Sequence, residues 1–403
     1  SLLFRLGGFW AVTWLQALCG VATVLGIHRL GTRLYGRRAG LLAGILALLF
    51  GPALWYEGWL LPTTVNLLLL VVILTLTVAD LARPPGSSAL VVFLALGITL
   101  GLAVACRPQN LLLAVFLFLW LGWNRRSAGV GFLRPLGLAG LAMILTLAPV
   151  TVQNWTASGE LVPVSANGGV NFYIGNHADA DGRFSLPPGF PSYIGQLQAA
   201  TRDMAQAQEG KSLTWHQISS HWFARGWNDL TTDPGRALGL WLHKARLVVS
   251  WREMENNFVV RWVQRHAGPS GWLIPSLGLL WLLAVPAIVA LLRRRDLGDL
   301  TLLIPLITVV LVCLIFWVST RNRLPLLIPL AVLAGASLAD RQLWKRPVHL
   351  ILTGLMAVAV FWPTADREGA AFFCDVGRIH AQEGRITEAR ATFEEALVLE
   401  PDH

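Results

Sequence analysis

Four charged residues stand at the edges of long apolar runs. They are Glu57 in Trp55-Tyr56-Glu57-Gly58-Trp59-Leu60-Leu61-Pro62, Arg107 in Cys106-Arg107-Pro108-Gln109-Asn110, and Arg321 and Arg323 in Ser319-Thr320-Arg321-Asn322-Arg323-Leu324-Pro325. An ionisable side chain next to hydrocarbon is costly unless it faces protein or water. A carboxylate so placed can bind a substrate hydroxyl or take its proton as a general base. Guanidinium forks match the oxygens of a phosphate. The plainer alternatives are a Glu that shapes a loop and arginines that reach ordinary phospholipid headgroups.

A second group of candidates lies in the long polar stretch 153–270. Asn167-Gly168-Gly169-Val170-Asn171-Phe172-Tyr173-Ile174-Gly175-Asn176 is its densest motif. Glycines let a backbone approach a ligand closely, and Asn171, Tyr173 and Asn176 can hydrogen-bond hydroxyls beside aromatic faces, as sugar contacts do; a plain structural turn is the alternative. Glu253 and Glu255, in Trp251-Arg252-Glu253-Met254-Glu255-Asn256-Asn257, either serve the same site or are solvated. The stretch also holds His177, His216, His221, His243 and His266 without an HExxH pattern, and His216 and His221 are five apart, one too many for a shared helix face. Cys19, Cys106, Cys313 and Cys374 are far apart. Neither a zinc site nor a disulfide framework is indicated, and no cofactor is expected; a divalent metal stays open but is not indicated by any motif.

The elements that position these residues follow from composition. The 403 residues are 55% hydrophobic and 14% charged, with a mean hydropathy of +0.57. A soluble domain carries about a quarter charged residues, so the chain is expected to be an all-α polytopic membrane protein. A helical crossing takes about 20 apolar residues. Ten segments approach that length: 9–28, 39–55, 61–79, 89–106, 110–123, 135–152, 271–292, 300–318, 324–339 and 347–363.

The formal net charge of +9 has two readings, nucleic-acid binding or the Lys/Arg bias of cytoplasmic loops. With the N-terminus outside, the inner connections hold fourteen basic residues against four in the short outer segments. That asymmetry fixes the orientation, and the scattered charges form no stacking platform or groove-reading helix, so nucleic acid is excluded as a partner. Residues 153–270, with ten basic and nine acidic residues, and the acidic tail then lie outside, in the periplasm of a bacterium.

Four regions result: six spans in 1–152, a periplasmic loop domain of mixed structure in 153–270, four spans in 271–363, and a tail in 364–403. In the loop, Ser158 to Gly189 is rich in turn residues, whereas Ser212 to Thr231 and Pro234 to Val249 read as amphipathic helices, the second capped by Asp233. The tail fits one tetratricopeptide repeat of roughly 34 residues. From Ala370 as its first position, Phe373, Val376, Gly377, His380, Gly384, Ala389, Phe393, Ala396 and Pro401 fall on the consensus, His380 replacing an aromatic. A lone repeat cannot bury its apolar face, so further repeats and a protein partner are expected.

Taken in order, several stretches resemble bacterial GT-C membrane glycosyltransferases of the family 39-like group, related to protein O-mannosyltransferases and the lipid A aminoarabinose transferase. They are Arg33-Leu34-Tyr35-Gly36-Arg37-Arg38-Ala39-Gly40, Tyr56-Glu57-Gly58 with Leu61-Pro62, Arg107-Pro108, Gly168 to Asn176, Glu253-Met254-Glu255-Asn256 and Arg321-Asn322-Arg323-Leu324-Pro325. The resemblance implies a polyprenyl-phosphate sugar donor, a periplasmic acceptor, and an inverting displacement in which Arg107, Arg321 and Arg323 stabilise the leaving phosphate. Glu57 would place donor or acceptor, and Asn171, Tyr173, Asn176 and Glu253 would contact sugar or acceptor. The family's main catalytic acid lies in a first outer loop that this sequence lacks, so the sequence is expected to be the middle of a longer enzyme and inactive alone. The alternatives are an O-antigen ligase or polymerase, a transporter or lipid flippase, and a membrane-anchored scaffold whose tail is its purpose.

Overall fold

The computed structural model describes residues 2–83, 90–191, 194–254, 276–294, 296–364 and 370–399, with Val263, Gly268 and Leu273. Its described residues contain helices, turns and extended connections, without a β-sheet. In chain order the first half comprises α1 (Leu2–Tyr35), α2 (Arg37–Leu48), α3 (Gly51–Glu57), α4 (Thr63–Leu81), α5 (Leu90–Cys106), α6 (Asn110–Ser127) and α7 (Leu133–Ser158). The loop domain adds α8 (Gly168–Asn176), α9 (Ile194–Glu209), α10 (Trp215–Thr232) and α11 (Pro234–Val249). Then come α12 (Leu277–Arg294), α13 (Leu297–Leu300), α14 (Leu303–Ile315), α15 (Thr320–Arg323), α16 (Leu327–Ala339), α17 (Pro347–Phe361), α18 (Ala370–Gln382) and α19 (Ile386–Leu399).

Apolar runs of this length become helices because a helix satisfies every interior backbone group within itself. Among the described residues, six helices are long and apolar enough to cross a membrane: Gly7–Tyr35, Thr63–Leu81, Leu133–Ser158, Leu277–Arg294, Leu297–Ile315 and Thr320–Ala339. The chain is a multi-pass membrane protein. Each of the ten expected segments is largely helical, but four fall short of that measure. The 39–55 segment breaks at Phe50, which is extended (φ −80°, ψ 98°), and Pro52 then starts α3. Leu90–Cys106 and Pro347–Phe361 are shorter, and α6 carries Arg125 and Arg126 in its last turn.

Small residues set the packing, as they do wherever lipid removes a hydrophobic incentive for helices to associate. A Cβ on Gly335 of α16 would lie 2.5 Å from the Ala39 carbonyl oxygen of α2, and one on Gly97 of α5 would lie 2.1 Å from the Ala139 oxygen of α7. The helix running through α15 and α16 is the centre of the bundle, with Leu326, Ile328, Leu330 and Leu333 fully buried. At the periphery, Trp10, Trp14, Leu18, Val21 and Leu25 form an exposed apolar stripe along α1. A stripe of that extent requires lipid contact.

Among the described residues of the loop domain the regular elements are helices, joined by turns and irregular connections and without strands. Two of its helices begin as their caps dictate: Asp233 accepts from Arg236 N (2.9 Å), and Thr214 and Gln217 form a capping box before α10. The Gly168 to Asn176 motif is itself a helix, α8, in a stretch expected to be turns. Gly169 and Gly175 serve close backbone contacts, Gly175 against Phe316. Gly169 N donates to Ser219 Oγ (3.0 Å), and a Cβ there would lie 1.7 Å from the Ser219 carbonyl oxygen of α10.

In the tail, α18 and α19 pair as a helical hairpin. Phe373, Ala389 and Ala396 are buried, and a Cβ on Gly377 would press within 2.7 Å of the Phe393 ring. Pro401 and the remaining end of the proposed repeat lie outside the described residues.

Candidate active site

At the end of the bundle that carries the loop domain, α5 stops before Pro108, which disfavours helical geometry at Arg107. Arg107 is 6% exposed. Its Nη1 donates to the Arg321 carbonyl (2.8 Å) and its Nη2 to Asn322 Oδ1 (2.6 Å). Asn322 is fixed in turn, its backbone N donating to Ser319 Oγ (3.2 Å) and its Nδ2 to the Trp317 carbonyl (3.1 Å). The α14–α15 connection is also pinned to the loop side, through Val318 N to the Gly182 carbonyl and Thr320 N to the Met254 carbonyl, both 2.8 Å.

Arg107 and Arg321 line one cavity of about 590 Å³ together with Gln109, Asn167, Asn171 and Trp317. That volume lies within the roughly 300–1,000 Å³ of small-molecule sites. Arg321 is half-buried, and its guanidinium makes no hydrogen bond among the described residues. The buried phenol of Tyr56 lies within electrostatic reach of both arginines, a partner that the sequence did not single out. The cavity therefore joins two cations, one with open donors, to amide side chains and an aromatic face. Such walls can hold a phosphate and a polyhydroxylated group side by side.

Glu57, the last residue of α3, is adjacent to Tyr56 but faces the neighbouring side. Its carboxyl packs against Gly20 of α1, where a Cβ would lie 1.9 Å from Oε1. It borders a smaller cavity of about 100 Å³ with Thr23, Ile27, Phe50, Thr64 and Leu327. The loop after α3 is held against α1 by Gln16 Nε2, which donates to the Trp59 carbonyl (2.7 Å). Burial pushes the Glu57 carboxyl up to about 7, the range in which a carboxylate can act as a base near neutral pH.

The other candidates hold the framework. Arg323 is fully buried, with Nη1 donating to the carbonyls of Leu247 (2.9 Å) and Ser250 (3.0 Å) and Nη2 to that of Arg252 (2.9 Å). It also pairs with Glu253 Oε2 at 2.8 Å, while Glu253 Oε1 accepts from Leu277 N (3.2 Å) at the start of α12. Asn176 is fully buried and donates to the carbonyls of Phe172 and Ile315, both at 2.8 Å. Its Oδ1 accepts from Lys244 Nζ (2.9 Å), which reaches the Leu314 and Phe316 carbonyls as well. Tyr173 lies in the loop-domain core, 5.1 Å from Trp222 and 6.0 Å from Phe190 between ring centroids. Glu255, Asn256 and Asn257 lie outside the described residues.

Thus Arg107, Arg321 and Asn171 share a cavity and Glu57 borders the next. Arg323, Glu253, Asn176 and Tyr173 are not among the residues lining either one. Among the described residues no three of His, Cys, Asp and Glu gather as metal ligands, and the four cysteines are free.

Residues 1–152 match the family model of dolichyl-phosphate-mannose-protein mannosyltransferases. That stretch contains Glu57 and Arg107, and the match supports a membrane glycosyltransferase. No curated protein sequence matches the chain. Among solved structures, the chain is similar to the Archaeoglobus fulgidus oligosaccharyltransferase in complex with zinc and sulfate, at 14% identity and a TM-score of 0.46 over 92% of this chain and 43% of that one. The same organism's oligosaccharyltransferase, tethered to an acceptor peptide containing the NVT sequon, gives 13% identity and 0.46 over 95% and 47%. The chain spans less than half the length of either structure.

Proposed function

We propose that this chain forms part of an integral-membrane glycosyltransferase of the GT-C class, which transfers a sugar from a polyprenyl-phosphate donor to a periplasmic protein, lipid or glycan. The observation that carries this reading is the cavity in which Arg107 is fixed and Arg321 has its donors open, at the edge of a region matching a mannosyltransferase family. Arg321 and Arg107 neutralise the lipid phosphate as it leaves, and Asn171 contacts the sugar or acceptor. Arg323, Glu253, Asn176 and Tyr173 support the site through the framework contacts described. Glu57, at the neighbouring cavity, helps to place a hydroxyl.

In the reaction the acceptor oxygen attacks the anomeric carbon, the bond from that carbon to the phosphate oxygen breaks, and a carboxylate takes the acceptor proton. Inversion at carbon follows from the single displacement. The chain lies in a bacterial inner membrane in a ten-span arrangement, with the loop domain and tail periplasmic, in accord with its basic residues. The tail is a tetratricopeptide repeat that binds a protein partner, a reading supported by the close Gly377–Phe393 packing.

Binding of a labelled polyprenyl phosphate to the purified chain tests the site without requiring turnover. Arg321→Ala removes a charge-assisted contact of about 1.5–3 kcal/mol, equivalent to a roughly 10- to 100-fold loss of affinity. Thermal stability should be nearly unchanged, because among the described residues no hydrogen bond or ion pair depends on that guanidinium. Unaltered binding would overturn the assignment.

A further inference from the structure

The stretch Tyr35-Gly36-Arg37-Arg38 has no part in the reading above and lies at the opposite end of the bundle. Gly36 takes φ +87°, a left-handed value that lets the chain reverse between α1 and α2. The reversal puts Arg37 and Arg38 in the first turn of α2, where the positive end of the helix dipole disfavours cations. Both line a cavity of about 490 Å³ that also takes in Arg294, at the end of α12, and Asp299 and Asp340. Its apolar lining includes Ala287 and Ala290 of α12 and Ala336 and Ala339 of α16.

The charges in this cavity are unequally engaged. Asp340 accepts a hydrogen bond from Gln342 N (3.0 Å), and Asp299, 7% exposed, lies beside the Tyr35 phenol, which shares its electrostatic environment. Arg37, Arg38 and Arg294 form no ion pair among the described residues. Arg294 lies within electrostatic reach of Asp299, as does Asp296 just outside the lining; the lining itself carries three guanidiniums against two carboxylates, a formal excess of one positive charge that favours an anion. Orientation in the membrane requires basic residues at this end, but it does not require them to converge on a cavity.

We propose that this cavity binds a phosphate group, carried by a lipid headgroup or by a small phosphate ester, with Arg37 and Arg38 as its forked donors and Arg294 completing the wall. The alanine lining accommodates the glycerol or acyl stem of a lipid. The site is separate from the loop-side cavity and independent of the reaction assigned there.

The experiment uses the purified chain in detergent with two probes, a labelled phosphatidylglycerol and radiolabelled inorganic phosphate. Arg37→Gln combined with Arg38→Gln is expected to lower the affinity of the bound probe about tenfold or more, as loss of charge-assisted forks does. Arg126→Gln with Arg134→Gln removes equal charge at the same end outside the cavity and is expected to change affinity less than about twofold, since separated surface charges are screened. Arg37→Lys with Arg38→Lys keeps the charge that guides insertion; a loss of several-fold there identifies the forks themselves. Binding of phosphatidylglycerol without phosphate assigns a lipid headgroup, and binding of both assigns the phosphate alone. If neither probe binds saturably, or if both Gln pairs weaken binding equally, the proposal is overturned.

Discussion

Replacing Arg323 with Met should separate a structural role from a ligand-binding one. The guanidinium is fully buried, donates to three carbonyls at 3.0 Å or less, and pairs with Glu253 at 2.8 Å. Met fills most of the volume but removes the guanidinium's hydrogen bonds to those carbonyls and leaves the Glu253 carboxylate, still held by Leu277 N, without its counter-charge. Breaking a buried pair from one side costs about 3–5 kcal/mol. At a few degrees per kcal/mol the melting temperature in detergent should fall by on the order of 5–10 °C. Glu253→Gln should cost less, about 1–3 kcal/mol, because Arg323 keeps its carbonyls. The double variant should recover at least about 2 kcal/mol relative to the sum of the singles, since it no longer strands a buried charge. Thermal unfolding of the four proteins, with polyprenyl-phosphate binding measured in parallel, decides the matter. If Arg323→Met melts like the parent and weakens only binding, or if the two costs simply add, the clamp reasoning fails and Arg323 belongs to the ligand.

Three further outcomes follow from positions at the loop end. The Glu57 carboxyl should titrate near pH 7 in an infrared difference between the parent and Glu57→Gln; because its folded value lies above the ordinary 4.5, it favours folding below about pH 4.5 and that contribution is lost as pH rises through 7. A carboxyl that ionises near 4.5 would refute the burial argument. Gly20→Ala should displace the Glu57 carboxyl, which a Cβ would otherwise approach to 1.9 Å, and move that titration while melting changes little, since the neighbour is a flexible side-chain end. An unmoved titration would show that the two do not touch. Gly169→Ala should loosen α8 from α10, because the clash at 1.7 Å is with backbone; limited proteolysis of the loop domain should accelerate several-fold, and unchanged cleavage would contradict the packing.

The sequence disclosed the helices whose signals are local. The apolar segments became helices, and Asp233-Pro234 marked the start of α11. Gly51-Pro52 is a local sign of the break before α3, and Thr214 with Gln217 of a capping box. What was not legible depends on partners distant in sequence. Gly169 looks like part of a flexible loop until Ser219 is known to lie against it. The division of labour between the arginines was partly readable. Residues two apart on a helix point about 200° away from each other, so Arg321 and Arg323 could not both serve one phosphate. Which of them faced the cavity depended on where the end of α11 packs.

The clamp on Arg323 and the Lys244–Asn176 contact join the loop domain to the membrane helices at two separate places. The wall bearing Asn171 and the wall bearing Arg107 and Arg321 are consequently held at a fixed separation before any ligand arrives. A ligand that fits between those walls finds their spacing already set by these contacts, so that part of the ordering cost is met in folding rather than in binding.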